Sequence, residues 1–174
     1  MKLQTIPMLL ALLAPGVLYA GEPQAAGKAS IPEHMMLKAK DTKWGAAPAA
    51  LPKGAQAVVL AGDPGKEGVF TIRLKVPAGY RIPRHWHPSD EAVTLIEGDV
   101  TLSMGEAANA HTQTLAPGDF VYLPARMQHQ PSTRGGAVFQ VQSTGPFQVN
   151  YVDPKDDPRN ANAASAKSDK AKKK

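Results

Sequence analysis

The sequence predicts an all-β fold, a sandwich or a barrel. From Ala57 onward, short runs rich in β-branched and aromatic residues alternate with turn signals, and no stretch has a helical period. Sixteen Pro and fifteen Gly favour many turns over long helices. Many short strands at close spacing are typical of all-β domains. The predicted strands are Ala57–Leu60, Val69–Val76, Glu91–Ile96, Val100–Met104, Phe120–Leu123, Ala137–Val141 and Phe147–Val152.

Length and composition indicate one globular domain. The chain has 174 residues, of which 43% are hydrophobic, a content too high for a disordered protein. It contains no Cys, so disulfides, thiolate metal ligands and cysteine nucleophiles are all excluded. Any metal site must therefore use nitrogen and oxygen donors.

The first twenty residues are typical of a secretory signal. Lys2 provides the positive charge, an apolar stretch runs from Ile6 to Leu18, and cleavage is expected after Ala20. The alternative is an uncleaved membrane anchor, but the apolar stretch is short for a membrane span. We therefore expect a periplasmic or secreted protein with no transmembrane segment after cleavage.

The rest of the chain divides into three parts. Residues 21–53 form an Ala- and Pro-rich linker and irregular N-terminal arm, residues 54–153 the β domain, and residues 154–174 a Lys-rich tail that should be disordered. This tail carries most of the formal net charge of +5, so the β domain is nearly neutral. A neutral domain argues against nucleic-acid binding. The tail is interpreted as a solubilising segment, with loose attraction to anionic lipid or cell-wall polymers as the alternative.

Three of the five His residues, together with one Glu, are candidate metal ligands. His85 and His87 are two residues apart, so on an extended strand their side chains point to the same side. Glu91 opens the next predicted strand, and His129 follows a distant one. Three imidazoles and one carboxylate suit one divalent transition metal, namely Zn, Mn, Fe, Ni, Co or Cu, rather than Ca or Mg.

The spacing of these residues resembles the two motifs of the cupin superfamily. Gly79, His85, His87, Glu91 and Gly98 fit G-x5-H-x-H-x3-E-x6-G, and Gly118, Pro124 and His129 fit most of G-x5-P-x-G-x2-H-x3-N. Arg126 replaces the usual Gly, and Thr133 replaces the usual Asn. The resemblance covers about residues 57–152. It implies a small, single-domain, RmlC-like cupin: a jelly-roll-like β-barrel with the metal inside, often dimeric.

The departure at Arg126 leads to a conformational expectation. Gly accepts a positive φ without steric penalty, whereas Arg does not. We therefore expect a negative φ at Arg126, with its side chain projecting outward at the rim of the barrel.

Other polar and aromatic residues near the motifs are weaker candidates. Arg84, Arg126 and Tyr122 are candidates for substrate binding, the two Arg residues for an anionic substrate. Tyr80, Tyr122 and Gln128 are candidates for acid–base catalysis, although none is compelling. His111 lies in a polar predicted loop and should bind no metal, while Trp86 should face away from the metal because it alternates with the two His residues.

The motifs leave two functions open. The first is a metal-dependent dioxygenase or isomerase that acts on a small oxygen-bearing molecule. The alternative is a non-catalytic small-molecule binding or sensing protein of the periplasm, because fold alone does not choose among cupin functions. An apolar cavity over the metal favours an enzyme or ligand-binding protein, whereas a cavity filled by Met127, Phe139 and Leu95 favours a structural site.

Overall fold

The computed structural model describes residues 34–160 as two antiparallel sheets. The six-stranded sheet has the order β1-β2-β3-β10-β5-β8, and the five-stranded sheet has the order β11-β4-β9-β6-β7. The strands are β1 (Gly45–Ala46), β2 (Gln56–Ala61), β3 (Gly68–Val76), β4 (His85–Trp86), β5 (Glu91–Gly98), β6 (Val100–Met104), β7 (His111–Leu115), β8 (Phe120–Leu123), β9 (His129–Ser132), β10 (Ala137–Gly145) and β11 (Asn150–Tyr151). The all-β prediction is confirmed. The predicted signal segment, residues 1–20, lies outside the described residues.

Every strand predicted from the sequence corresponds to a strand of the structure, but four further strands were missed. β1, β4, β7 and β9 are short or polar and lack a run of β-branched residues. The placement of His111 in a loop was wrong, because His111 begins β7, whose residues are almost all exposed. β7 pairs along its whole length with β6, so backbone pairing rather than side-chain burial defines this strand.

The core lies between the two sheets. On β3, alternate residues from Phe70 to Val76 are buried, as expected for a strand with one face inside. Phe70, Leu95 and Val141, from the adjacent strands β3, β5 and β10, are almost completely inaccessible to solvent. Burying each such side chain stabilises the fold by roughly 1.5–3 kcal/mol. These three strands therefore form the wall against which the five-stranded sheet packs.

The chain passes from one sheet to the other at Gly98. β5 belongs to the six-stranded sheet and β6 to the five-stranded sheet, with only Asp99 between them. Gly98 has a φ of 82°, and a Cβ atom there would lie 2.0 Å from the carbonyl oxygen of Gly136. Glycine is required here because the two backbones approach so closely.

The N-terminal arm is attached to the barrel by backbone and tyrosine contacts. β1 pairs with β2, and the Tyr80 hydroxyl donates a hydrogen bond of 2.7 Å to the carbonyl of Pro52. The Tyr151 hydroxyl donates a bond of 2.6 Å to the carbonyl of Ala50. Residues 45–52 are therefore held against the domain although they carry little regular structure.

The described part of the C-terminal region also contacts the barrel. β11 pairs with β4, and a 3-10 helix follows at Pro154–Asp156, where the Asp153 carboxylate accepts a bond of 2.9 Å from the Lys155 amide. Arg159 then bonds back to the carbonyl of Val149. Residues 161–174, the rest of the predicted tail, lie outside the described residues. Within residues 34–160, no helix has the length and apolar character to cross a membrane.

Candidate metal centre

The four predicted ligands meet in the barrel interior, and both sheets contribute. His85 on β4 is the direct antiparallel partner of His129 on β9 in the five-stranded sheet. His87 follows β4 immediately, and Glu91 is the first residue of β5 in the six-stranded sheet. All four side chains are buried, and each His offers a ring nitrogen within 4.8 Å of those of the other two. The three histidines could hold a metal ion.

Backbone carbonyls orient all three imidazoles. Nδ1 of His85 lies 2.7 Å from the carbonyl oxygen of Pro83, Nδ1 of His87 lies 2.7 Å from that of Gln148, and Nδ1 of His129 lies 3.0 Å from that of Met127. A carbonyl oxygen only accepts hydrogen bonds, so each Nδ1 must carry the hydrogen and donate it. In a neutral imidazole this leaves a lone pair on Nε2, which is the arrangement of a metal-ligating histidine.

Glu91 lies against these Nε2 atoms. Its Oε2 is 3.2 Å from Nε2 of His129 and 3.5 Å from Nε2 of His87, and Nε2 of His87 is buried without a hydrogen-bond partner among the described residues. A carboxylate oxygen and an imidazole lone pair both seek positive charge. A cation between them satisfies both, so the arrangement fits a metal ion shared by the four side chains.

The protonation states also favour metal binding. Burial, followed by the charges of the neighbouring His129 and His87, lowers the pKa of His85 to about 3. Burial likewise lowers the pKa of His87. For Glu91, burial acts to raise the pKa, but the contact of its carboxylate with His129 and the proximity of all three imidazoles outweigh burial and lower the pKa. At neutral pH, His85 and His87 are therefore neutral and Glu91 is ionised, which are the ligand forms.

A cavity of about 460 Å³ opens beside the four ligands. Its walls are mostly apolar and come from both sheets and from the N-terminal arm. Representative wall residues are Leu51, Ile72, Val93, Leu102, Val121 and Phe147. Leu95 and Phe139 lie in the wall and leave the cavity open, and Met127 does not line it. The interior is thus a ligand-sized space rather than a filled core.

Asp90 connects the segments that carry the ligands. Its carboxylate accepts a bond of 2.7 Å from the amide of Ala125, and its carbonyl accepts a bond of 2.6 Å from the Ser143 hydroxyl on β10. The Arg126 amide donates a bond of 2.8 Å to the carbonyl of His87. These bonds link the loop before Glu91 to the turn before His129. The sequence does not reveal this partner of Asp90, because Ala125 lies 35 residues away.

The expected negative φ at Arg126 was wrong. Arg126 has a φ of 66°, in a turn closed by a bond of 3.0 Å from the Met127 amide to the carbonyl of Pro124. The turn keeps the conformation for which the cupin motif has Gly, because the loop must bond to His87 and still deliver His129. The Arg126 side chain is exposed and lies over the Trp86 ring, 5.3 Å from its centroid. This cation–π contact offsets part of the backbone strain.

The weaker substrate-binding candidates do not line the cavity. Arg84 donates to the carbonyl of Gly105 and, at 2.8 Å, to the Ser103 hydroxyl, so it fastens β4 to the end of β6. Tyr122 is exposed and hydrogen-bonds to Asp90, which raises its pKa. The Arg126 guanidinium packs over the Trp86 ring.

The remaining polar candidates also serve structural roles. The Tyr80 hydroxyl is engaged by the N-terminal arm, Gln128 accepts a backbone bond from Gly105, and Thr133 accepts a bond of 3.0 Å from the Gly136 amide. His111 bonds to Gln113 on the exposed strand β7 and joins no metal-binding group in residues 34–160.

Sequence reasoning missed two polar residues that line the cavity, Gln148 and Arg159. Gln148 lies in a predicted strand, and its contribution to His87 comes through its backbone carbonyl, which no side-chain pattern reveals. Arg159 lies in a region whose charged composition predicts disorder. Only the folding of residues 150–160 onto the barrel brings it to the cavity.

Solved structures with the same architecture show the fold to which this chain belongs. The polyketide cyclase RemF from Streptomyces resistomycificus matches with a TM-score of 0.60 and 18% identity, over 72% of this chain and 90% of that one. An RmlC-like cupin from Shewanella frigidimarina matches with a TM-score of 0.52 and 12% identity, over 64% and 91% of the two chains. KdgF from a Halomonas species gives 0.51 and 16%, over 65% and 96%. The fold is that of the cupin superfamily.

The family is more specific than the fold. Residues 17–150 match the family described as Domain of unknown function (DUF4437), and the chain belongs to this family. No curated protein sequence matches the chain.

The ligand set makes the first testable prediction. Replacing His85, His87 or His129 with Ala should each weaken metal binding by roughly tenfold or more, because each change removes one of few ligands. His111→Ala should leave metal content unchanged, since this exposed residue lies on β7, two strands from His129, and does not belong to the buried group. Metal analysis of the purified variants measures the effect. Full metal content in the double variant His85→Ala/His87→Ala would refute the site.

A second prediction concerns the turn before His129. Arg126→Gly and Arg126→Ala both remove the contact with Trp86, but only Ala keeps a Cβ at positive φ. The Gly variant should therefore be more stable than the Ala variant by about 1 kcal/mol. Metal content should stay unchanged in the Gly variant, because no ligand moves. Urea denaturation of the two variants measures the difference, and equal stabilities would show that the turn relaxes away from a φ of 66°.

Proposed function

We propose that this protein is a metal-dependent cupin enzyme that acts on a small, largely apolar molecule bearing an oxygen function. One observation carries the proposal: a cavity of about 460 Å³ with mostly apolar walls that is lined on one part by the cluster of His85, His87, Glu91 and His129. Such a cavity buries most of a small ligand and orients it by its few polar groups. The oxygen function of the ligand would face the metal centre, and its carbon skeleton would face the walls.

The residues around the cavity support separate roles for the three histidines and for Glu91. The three imidazoles hold the metal, and Glu91 is the only carboxylate among the cavity-lining residues that the structure describes. Glu91 can therefore hold a proton on Oε2 or return it to a bound molecule, while the apolar walls exclude water. The bound metal would supply Lewis acidity toward a carbonyl or enolate, or activation of O₂. These roles fit an isomerase or a dioxygenase.

A non-catalytic binding or sensing protein is the second candidate function. It is favoured by the shortage of acid–base groups: besides the metal ligands, Arg159 is the only titratable side chain among the described residues that line the cavity. An enzyme that uses two separate proton-transfer groups would need another. Binding without turnover requires only the cavity and the metal.

A simple 1,3-diketone, acetylacetone, distinguishes these functions because it binds metals as an enolate and exchanges its central hydrogens. The protein is loaded in turn with Fe, Mn, Co, Ni, Cu or Zn and mixed with acetylacetone. O₂ uptake would then indicate a dioxygenase. Accelerated hydrogen–deuterium exchange without O₂ uptake would indicate isomerase-type proton transfer. Binding with neither would favour the binding protein, and no binding to any metal-loaded form would contradict the proposal.

Glu91→Gln tests the role of the carboxylate in the same assay. The variant keeps the three His ligands, so metal should still bind, although more weakly. Catalysed exchange or O₂ uptake, expressed per bound metal, should fall by roughly 100-fold, the contribution of a general acid–base group. His111→Ala is the matched control and should behave as the wild-type protein. An unchanged rate per bound metal would show that Glu91 is only a ligand.

We also propose export, on the basis of the apolar stretch after Lys2 and the cleavage signal at Ala20. The mature chain should begin at or within a few residues of Gly21, and mass spectrometry of natively expressed protein measures this. An intact Met1 would contradict cleavage. That the mature chain forms a homodimer stays a prediction from the cupin resemblance.

A further inference from the structure

Arg159 is the only cationic side chain that lines the cavity within residues 34–160, apart from the histidines of the metal centre. It lies on the segment after β11, beyond the 3-10 helix Pro154–Asp156. The family match ends at residue 150, so this Arg is a feature of the chain outside the matched region. About half of its side chain is exposed, which places it where the cavity meets solvent.

The guanidinium of Arg159 is fixed by two acceptors. Nε lies 2.8 Å and 3.0 Å from the two carboxylate oxygens of Asp157, and Nη2 lies 2.7 Å from one of these oxygens. Nη2 also donates a bond of 2.9 Å to the carbonyl of Val149. Nη1 has no hydrogen-bond partner in the described part of the chain. Its two N–H groups are therefore held in place and available to a ligand, so little side-chain entropy is lost on binding.

Hydrogen bonds to two consecutive backbone carbonyls relate the position of Arg159 to that of the candidate metal centre. Gln148 accepts the hydrogen bond from Nδ1 of His87, and Val149 accepts the bond from Nη2 of Arg159. Consecutive Cα atoms are about 3.8 Å apart, so with one hydrogen bond at each end the guanidinium lies within roughly 10 Å of the His87 ring. A single small molecule can span this distance.

We propose that Arg159 binds a carboxylate group on a ligand whose other end presents oxygen donors to the metal centre. That the ligand contacts the metal centre rests on the proposed function, whereas its carboxylate group is inferred from Arg159 alone. Asp157 neutralises part of the Arg charge, which favours a monoanion over a phosphate dianion that would face the Asp157 carboxylate. The ligand is thus an oxygen-bearing organic acid with an apolar middle that matches the walls between Arg159 and the histidines.

A matched pair of catechols tests the inference. In 3-(3,4-dihydroxyphenyl)propanoate a carboxylate replaces the terminal methyl group of 4-propylcatechol, and both compounds offer the same two oxygens to a metal. The affinities are measured calorimetrically on the zinc-loaded protein, with Arg159→Gln and the control Arg134→Gln. Arg134 is exposed and does not line the cavity, so its replacement removes the same charge elsewhere on the surface.

Wild-type protein and Arg134→Gln should bind the propanoate about tenfold more tightly than the propyl compound, the effect of one charge-assisted hydrogen bond. Arg159→Gln should abolish this preference and leave the affinity for 4-propylcatechol within about twofold. Equal affinities of the wild-type protein for the two compounds, or a preference that survives in Arg159→Gln, would overturn the role of Arg159. Failure of both catechols to bind any zinc-loaded form would instead contradict the proposed metal-facing cavity.

Discussion

The antiparallel pairing of His85 with His129 is the constraint on which the site depends. Directly opposed residues of neighbouring strands have their side chains on the same face of the sheet, about 5 Å apart. The pairing therefore brings together two candidate ligands that are 44 positions apart in the chain. A shift of register by one residue would turn one of them out of the barrel.

Hydrogen bonds to backbone carbonyls fix the orientation of the three imidazole rings. Pro83, Gln148 and Met127 each accept the Nδ1 hydrogen of one imidazole, so all three Nε2 lone pairs are directed inward. Carbonyl partners of this kind fix ring orientation and tautomer, which raises affinity for a metal without adding a ligand. Burial then disfavours the protonated form of His85 and His87, and the same low-polarity surroundings form the wall of the cavity.

Hydrogen bonds also link the loops at this end of the barrel, which precede Glu91 and His129. Asp90 connects the loop before Glu91 with the turn before His129. In that turn Arg126 has a positive φ, and its amide donates a hydrogen bond to the carbonyl of His87. The strain of an Arg in this conformation is offset where the side chain lies on Trp86. A residue that departs from the cupin motif is thus accommodated by a local contact, while the position of His129 is kept.

The sequence by itself determined the all-β architecture through short-range patterns, and it indicated the four candidate ligands through the local spacing of His85, His87 and Glu91 and the resemblance of the second motif around His129. Runs of β-branched residues identify strands that bury one face, and the spacing of His85, His87 and Glu91 is local. The short or polar strands β1, β4, β7 and β9 could not be found in this way, since partner strands rather than their own side chains define them. The φ of Arg126 was missed because its cause, a bond to His87 39 residues away, is not a local property.

Only the tertiary structure decided what surrounds the candidate metal centre. The cavity exists because side chains from two sheets and the N-terminal arm face one another without filling the space between them, and only packing determines such a volume. Arg84, Tyr122 and Arg126, near the ligands in sequence, point elsewhere. Arg159, 30 residues beyond the last ligand, reaches the cavity because Asp157 and Val149 hold it there. Charged composition alone cannot indicate this contact, because the fold places the partner carbonyl of Val149.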